Sequence, residues 1–233
     1  MSAQQTVKLF SVLAIRAAFD RLLPLWQQRC PQVELQVEWA PTTRIEQWIA
    51  DGRRADAVIV TTEAMDRLVE QAVVEAGSRR ELVDSTIGVA TLPDAAQPDL
   101  SSAAALKQSL LQARSVGYSL GGASGIWFKT VLERLDITQA VNARASTIDE
   151  GFTARLLLEG KADLAVQQIS ELLTVPGIKI AGPLPDELQK VLSFPGALFR
   201  NAGRPAEAAA LLAFLRSDAA REVFQACGLT PRA

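Results

Sequence analysis

The sequence predicts an α/β protein in which mostly parallel sheets are flanked by helices. Strand and helix signals alternate from the first residues, giving β-α-β-α-β-α up to about residue 75. Parallel sheets covered by helices are the economical arrangement for that order. Ala57-Val-Ile-Val60 is a continuous apolar run, the pattern of a strand buried on both faces. With 233 residues the chain is long enough for one large domain or two small ones, with a substantial core.

Each element has its own signal. Residues 7–10 read as a strand. Phe19, Leu22, Leu23 and Trp26 recur at helical spacing, so residues 14–29 read as an amphipathic helix, with Pro24 as a source of local irregularity. Val33, Leu35, Val37 and Trp39 alternate with polar residues, as in a strand with one wet face. Ile45, Trp48 and Ile49 mark a short helix ended by Gly52, and Met65, Leu68, Val69 and Ala72 mark the next. Further strands are expected at 87–92, 115–118, 164–166 and 178–181. Helices are expected at 103–111, 125–135, 152–159 and 169–173. Residues 191–199 read as extended, and Pro195 within them predicts an edge or bulged strand. Two helices close the chain, carried by Ala208, Leu211, Leu212 and Leu215 and by Ala220, Val223 and Phe224. The chain divides into two halves, residues 1–84 with 190–233 and residues 85–189, with hinges near 84–92 and 184–192.

Composition narrows the function. A net charge of −2 gives no reason to expect nucleic acid or an anionic membrane as partner. No apolar run approaches the roughly 20 residues that span a bilayer, so no membrane insertion is expected. Met1-Ser-Ala-Gln-Gln-Thr6 has neither a basic region nor a long apolar segment. The expectation is therefore a cytoplasmic protein, with the periplasm applying if a leader was removed. Cys30 and Cys227 read as small buried hydrophobes and make no disulfide framework. There is no histidine, which excludes Ser-His-Asp and Cys-His triads, His-ligated zinc and a histidine base. No metal and no cofactor are expected. Proton chemistry, if any, falls to carboxylates, Lys, Tyr, Cys or water.

The stretch with most chemical content is Ser115-Val-Gly-Tyr-Ser-Leu-Gly-Gly-Ala-Ser-Gly-Ile-Trp-Phe-Lys129. A strand ends at Tyr118, a turn follows over Gly121-Gly-Ala-Ser-Gly125, and a helix begins. Glycines let backbone N–H groups approach a ligand, and a helix N-terminus favours negative charge. The turn reads as a seat for a small anion; a plain strand-to-helix turn is the alternative.

Several phrases, taken in order, resemble the periplasmic type II solute-binding fold, in its molybdate-binding-like branch. They are Leu9-Phe-Ser-Val-Leu-Ala-Ile-Arg-Ala-Ala-Phe19, Gly52-Arg-Arg-Ala-Asp-Ala-Val-Ile-Val60, Gly121-Gly-Ala-Ser-Gly-Ile126, and Glu159-Gly-Lys-Ala-Asp-Leu-Ala-Val-Gln-Gln-Ile-Ser-Glu171. Val175-Pro-Gly-Ile178 and Gly182-Pro-Leu-Pro-Asp-Glu-Leu188 complete the set. The likeness runs over about residues 6–228. It implies two lobes, a ligand cleft between them, hinge closure, and association with an ABC transporter. The branch also includes an aconitate isomerase.

In open α/β sheets, ligands sit beyond the carboxyl ends of strands where helices begin. Four such ends are expected, at residues 11–16, 41–44, 121–125 and 167–170. A fifth is at 147–153, where Asp149 and Glu150 open a helix. The candidate ligand-binding residues are Ser11, Ala14, Arg16, Thr42, Thr43, Arg44, Ser119, Gly122, Ser124, Gly125, Gln167 and Gln168. The resemblance implies hydroxyls after strands one and two. This chain instead has Ala14 with Arg16 nearby, then Thr42 and Thr43 beside Arg44. Gln167 or Gln168 stands where the branch has a tyrosine. A hydroxyl-and-amide cage suits a tetrahedral oxyanion, whereas arginines suit carboxylates through a bidentate fork. The ligand is therefore expected to be a small anion, an organic di- or tricarboxylate; the alternative for both arginines is an exposed charge at a helix start.

Two functions follow. A binding protein needs no proton-transfer group, and a transporter permease is its partner only if it is exported. An isomerase of an unsaturated carboxylic acid needs a base and cationic or N–H stabilisation of the developing charge. Tyr118 and Glu150 are the weak candidates for that base, and a packed aromatic is the plainer role for Tyr118.

Overall fold

The computed structural model describes residues 5–232. Two compact units are present, one running to Asp84 and resuming at Leu192, the other spanning Ser85–Val191.

The first unit is built on a six-stranded sheet. Its parallel core is β1 (Gln5–Ser11), β2 (Val33–Trp39) and β3 (Ala57–Ile59), linked by helices α1 (Arg16–Arg29) and α2 (Thr42–Ala50), with α3 (Thr62–Glu70) after β3. The order is completed by β4 (Arg80–Ser85), β10 (Leu192–Leu198) and β11 (Thr230–Pro231), giving β11-β4-β10-β3-β1-β2. Helices α9 (Pro205–Phe214) and α10 (Asp218–Ala226) close the unit. Phe10, Ile15, Trp26, Ile45, Ile59, Met65, Phe194, Phe199 and Phe224 are almost fully buried. Burial of this apolar surface is the main driving force for the unit, at about 25 cal/mol per Å².

The second unit holds a five-stranded sheet in the order β7-β6-β8-β5-β9. Its strands are β5 (Ile87–Thr91), β6 (Val116–Ser119), β7 (Ser146–Ile148), β8 (Leu164–Gln168) and β9 (Lys179–Pro183). Its helices are α4 (Ala103–Gln112), α5 (Ala123–Arg134), α6 (Thr138–Asn142), α7 (Arg155–Leu158) and α8 (Ile169–Leu172). Strands β7, β6 and β8 run parallel, while β5 pairs antiparallel with both β8 and β9. In both units, then, a parallel core is extended by antiparallel strands.

Pro195 does not mark an edge. β10 lies between β4 and β3 and keeps an unbroken register with β3 through Gly196, Ala197 and Leu198. The Pro195 carbonyl accepts from the Val60 N–H at 3.3 Å. Val60 lies just past the end of β3, so the missing proline N–H removes one reciprocal bond at the last rung. The helix expected from residue 152 is also shorter. It begins only at Arg155, and Asp149 and Glu150 lie exposed in a bend after β7. Four strands and helices were not anticipated from the sequence: β4, β7, β11 and the five-residue α6.

Asp56 ties the first unit together. Its buried carboxylate accepts from the Lys8 backbone N–H at 2.7 Å and from the Arg204 backbone N–H at 2.8 Å. Hydrogen bonds to a charged group are each worth about 1.5–3 kcal/mol. Asp56→Ala is expected to destabilise the protein by about 2–4 kcal/mol in urea unfolding, and Asp56→Asn, which keeps one acceptor, by less.

Candidate functional site

In the second unit, β6 and β8 are parallel neighbours with Gly117 opposite Ala165. Ser119 and Gln167 each lie two residues further on, so the ends of the two strands meet at one sheet edge. Beyond β6 the chain turns and enters α5 with Gly122 at the N-cap. This turn permits no side chain at residue 125. A Cβ there would lie 1.7 Å from the Ser119 carbonyl oxygen and 2.8 Å from its hydroxyl oxygen. At Gly122 a Cβ would lie 2.6 Å from the same hydroxyl. The Ser119 side chain is thus clasped against the first turn of α5, where backbone N–H groups lack intrahelical partners.

Ser119 and Ser124 are 2% and 1% exposed. Neither hydroxyl has a hydrogen-bond partner, and nor does the Oε1 atom of Gln168, which is 3% exposed. Buried polar groups are normally paired because leaving one unpaired costs about 1–3 kcal/mol. Three such groups stand at the ends of the neighbouring strands β6 and β8 and in the first turn of α5.

The two glutamines have different roles. Gln167 is committed to the protein: its Oε1 accepts from the Thr153 N–H at 2.8 Å and the Thr153 hydroxyl at 2.9 Å, and its amide donates to the Gly151 carbonyl at 2.8 Å. These bonds hold the bend over 151–153 and are the physical reason the expected helix start there is absent. Glu171, on the first turn of α8, carries a buried carboxyl. Burial pushes this carboxyl up to about 8, with Gln167 and Gln168 pulling the other way. Sequence reasoning gave Glu171 no role.

The remaining second-unit candidates lie elsewhere. The Tyr118 hydroxyl donates to Asn142 Oδ1 at 2.8 Å and its ring stacks edge-on against Phe128. Burial raises its pKa. It is a packed aromatic with a satisfied hydroxyl. Glu150 is exposed.

In the first unit, three parallel strands end side by side. Ser11 is fully buried and Ala14 nearly so, in a short 3-10 turn that delivers Arg16 to the start of α1. The Thr42 hydroxyl accepts from the Thr61 N–H at 3.4 Å, joining the loops after β2 and β3. Thr61, itself buried, is a hydroxyl that sequence reasoning missed. The partly buried Arg16 guanidinium stands 5.9 Å from the centre of the Trp39 ring, a cation–π arrangement. Thr43 and Arg44 are exposed on α2.

Among the described residues no group of three acidic, Cys or His side chains is placed to hold a metal, and no helix is long and apolar enough to cross a membrane.

Residues 7–230 match the family model described as bacterial extracellular solute-binding protein. The chain belongs to this family. It is 33% identical over 238 residues to an aconitate isomerase of a Pseudomonas species, covering 98% of this chain and 90% of that protein. Among solved structures, it superposes on the periplasmic molybdate-binding protein of Azotobacter vinelandii with a TM-score of 0.77 at 16% identity, covering 97% of this chain and 100% of the other. The sulfate-binding protein of Mycobacterium tuberculosis gives a TM-score of 0.74 at 14% identity, covering 97% and 87%. These structural likenesses establish the fold that the quoted phrases predicted.

Two outcomes test the geometry. Gly125→Ala is expected to destabilise the protein by about 1–3 kcal/mol or more, because the added methyl meets backbone that cannot swing aside; thermal unfolding measures it. Glu171 sets a pH dependence. Its ordinary value is 4.5 and its folded value about 8. Below 4.5 it is protonated in both states and its contribution is complete. From 4.5 to 8 only the unfolded chain releases the proton, so stability falls as pH rises and levels off above 8. Glu171→Gln, which cannot ionise, is expected to gain stability relative to wild type between pH 5 and pH 9 in urea unfolding.

Proposed function

We propose that the protein binds a small organic di- or tricarboxylate. The observation that carries this reading is the pair of buried, partnerless hydroxyls of Ser119 and Ser124 at the start of a twelve-residue helix, where negative charge is favoured. Arg16 supports a carboxylate over a tetrahedral oxyanion. It is partly buried, faces Trp39, and forms no ion pair among the described residues. Guanidinium binds carboxylate through two parallel hydrogen bonds. Ser11, Thr42 and Thr61 supply hydroxyls beside it.

The second reading is an isomerase of an unsaturated carboxylic acid, favoured by the 33% identity to an aconitate isomerase. Moving a double bond between carbons requires a base for the proton and donors for the negative charge that develops. The α5 start and Arg16 fit the latter task. Glu171 is a buried carboxyl in the same unit as Ser119 and Ser124 and replaces Tyr118 and Glu150 as the group to test. The readings differ in setting as well: a receptor must be exported and meet a permease, whereas an enzyme needs neither.

Titration calorimetry with citrate, cis-aconitate, trans-aconitate, molybdate and sulfate is expected to show binding of the carboxylates. Ser124→Ala is expected to weaken it about tenfold, and Arg16→Ala by roughly 10- to 100-fold. Preference for molybdate or sulfate would sink the carboxylate assignment. Proton NMR of the protein with cis-aconitate decides between the readings: interconversion to the trans isomer, lost in Arg16→Ala, identifies an enzyme, and a stable complex without turnover identifies a binding protein.

A further inference from the structure

We propose that the first unit carries a separate anion site, built from Lys8, Arg54 and Arg204, that takes a small organic phosphate. It lies at the amino ends of the parallel strands and does not rest on the carboxylate reading above.

The site begins with strand length. β3 starts only at Ala57, opposite Leu9 of β1. Thr6 and Lys8 therefore have no strand partner on the β3 side. A cavity of about 370 Å³ opens beside them, lined also by Arg54, Asp56, Asn201 and Arg204. Ser11 stands at the other end of β1, three residues beyond Lys8, which is about 10 Å of strand. The cavity is thus distinct from the strand ends that carry Ser11, Thr42 and Thr61.

Asp56 assembles the cavity. Its carboxylate is 5% exposed, and its two oxygens accept from the backbone N–H groups of Lys8 and Arg204, residues far apart in the sequence. Both oxygens are thereby engaged by main chain, and the cationic side chains of the same two residues stay unpaired. Arg54 is anchored through one guanidinium nitrogen, which donates to the Ile49 and Arg53 carbonyls at 2.8 Å. The rest of its fork is open. Among the described residues, none of the three side chains forms an ion pair. Glu34 stands opposite Thr6 on β2, and Glu207 lies in the first turn of α9, but neither lines the cavity. The wall therefore holds three positive groups and one buried carboxylate. Like charges held around one cavity repel, and a bound anion relieves that repulsion. Arg204 is also the N-cap of the ten-residue α9, whose positive end adds to the field.

The donor set points to phosphate. A phosphate ester brings nearly two negative charges and three acceptor oxygens. Guanidinium forks pair with it bidentately, and lysine adds a point charge. All three cationic side chains are exposed, so a soluble anion reaches them. The volume is at the small end of the range for small-molecule sites, about 300–1,000 Å³. No aromatic side chain lines the cavity, so a nucleobase has nothing to stack on. Thr6 and Asn201 offer neutral hydrogen bonds to the hydroxyls of a glycerol- or sugar-sized ester.

The test is titration calorimetry with glycerol 3-phosphate and with glycerol at physiological ionic strength, where weak surface attraction is screened. Glycerol 3-phosphate is expected to bind and glycerol not to bind. Lys8→Gln and Arg204→Gln are each expected to weaken binding about tenfold. Both variants keep the backbone N–H bonds to Asp56, so their melting temperatures are expected to match the wild type. Ser124→Ala and Arg16→Ala are expected to bind the ester as the wild type does. No binding by the wild type would overturn the proposal. So would binding that survives Lys8→Gln and Arg204→Gln but is lost in Ser124→Ala or Arg16→Ala, since the ester would then occupy the candidate carboxylate site. Attachment to phosphatidic acid vesicles without binding of glycerol 3-phosphate would assign the same chemistry to a lipid headgroup and overturn the soluble ligand.

Discussion

The contact of Gly125 with the Ser119 carbonyl governs the chemistry of the second unit. Only a residue without Cβ allows the strand end and the helix start to approach so closely. The approach has two consequences. It folds the Ser119 side chain back against Gly122 and Gly125, away from solvent. It also places Ser124 in the first turn of the helix, on its buried side. Neither hydroxyl can then find a partner in its own backbone. A looser turn would expose both to water, where each is satisfied, and there would be no driving force for a ligand to replace that water.

The loop after β8 meets this turn with a different device. Gln167 is drawn into the protein, where its amide secures the bend over 151–153 through hydrogen bonds to Thr153 and Gly151. Gln168 keeps its Oε1 buried and without a partner. Adjacent residues of the same type thus acquire different roles because a strand sends consecutive side chains to opposite faces. Three residues on, Glu171 is a buried carboxyl whose pKa burial raises.

This division explains what was and was not legible in the sequence. The parallel cores were legible because their strands are apolar runs followed by helices with regular spacing. The glycine turn and its serines were legible because backbone constraint and hydroxyl chemistry both leave residue-type signals. Pro195 misled, since a proline signals a lost N–H but not on which rung it falls. The helix start at Asp149 and Glu150 misled as well, because acidic residues suit a helix N-terminus in general while the Gln167 clamp, made by residues a strand away, decides this one. Gln167 and Gln168 could not be separated by type, since only their partners differ. Thr61 and Glu171 were missed for the same reason: their burial is a property of packing, and no local pattern announces it.

The polar groups of the two units differ in kind. The second unit's seat is neutral. Hydroxyls, helix N–H groups and an amide oxygen impose shape and hydrogen-bond polarity, but they add no formal charge beyond a helix dipole equivalent to about half an elementary charge. The first unit has Ser11, Thr42 and Thr61 in the same neutral style, and adds Arg16. A guanidinium against an indole face keeps its charge while shedding part of its hydration, which raises its value to an anion and restricts the directions from which a carboxylate can pair with it. Oxyanion recognition by neutral donors alone needs no such group. Arg16 is therefore the feature of the first unit that bears most directly on the carboxylate reading proposed above.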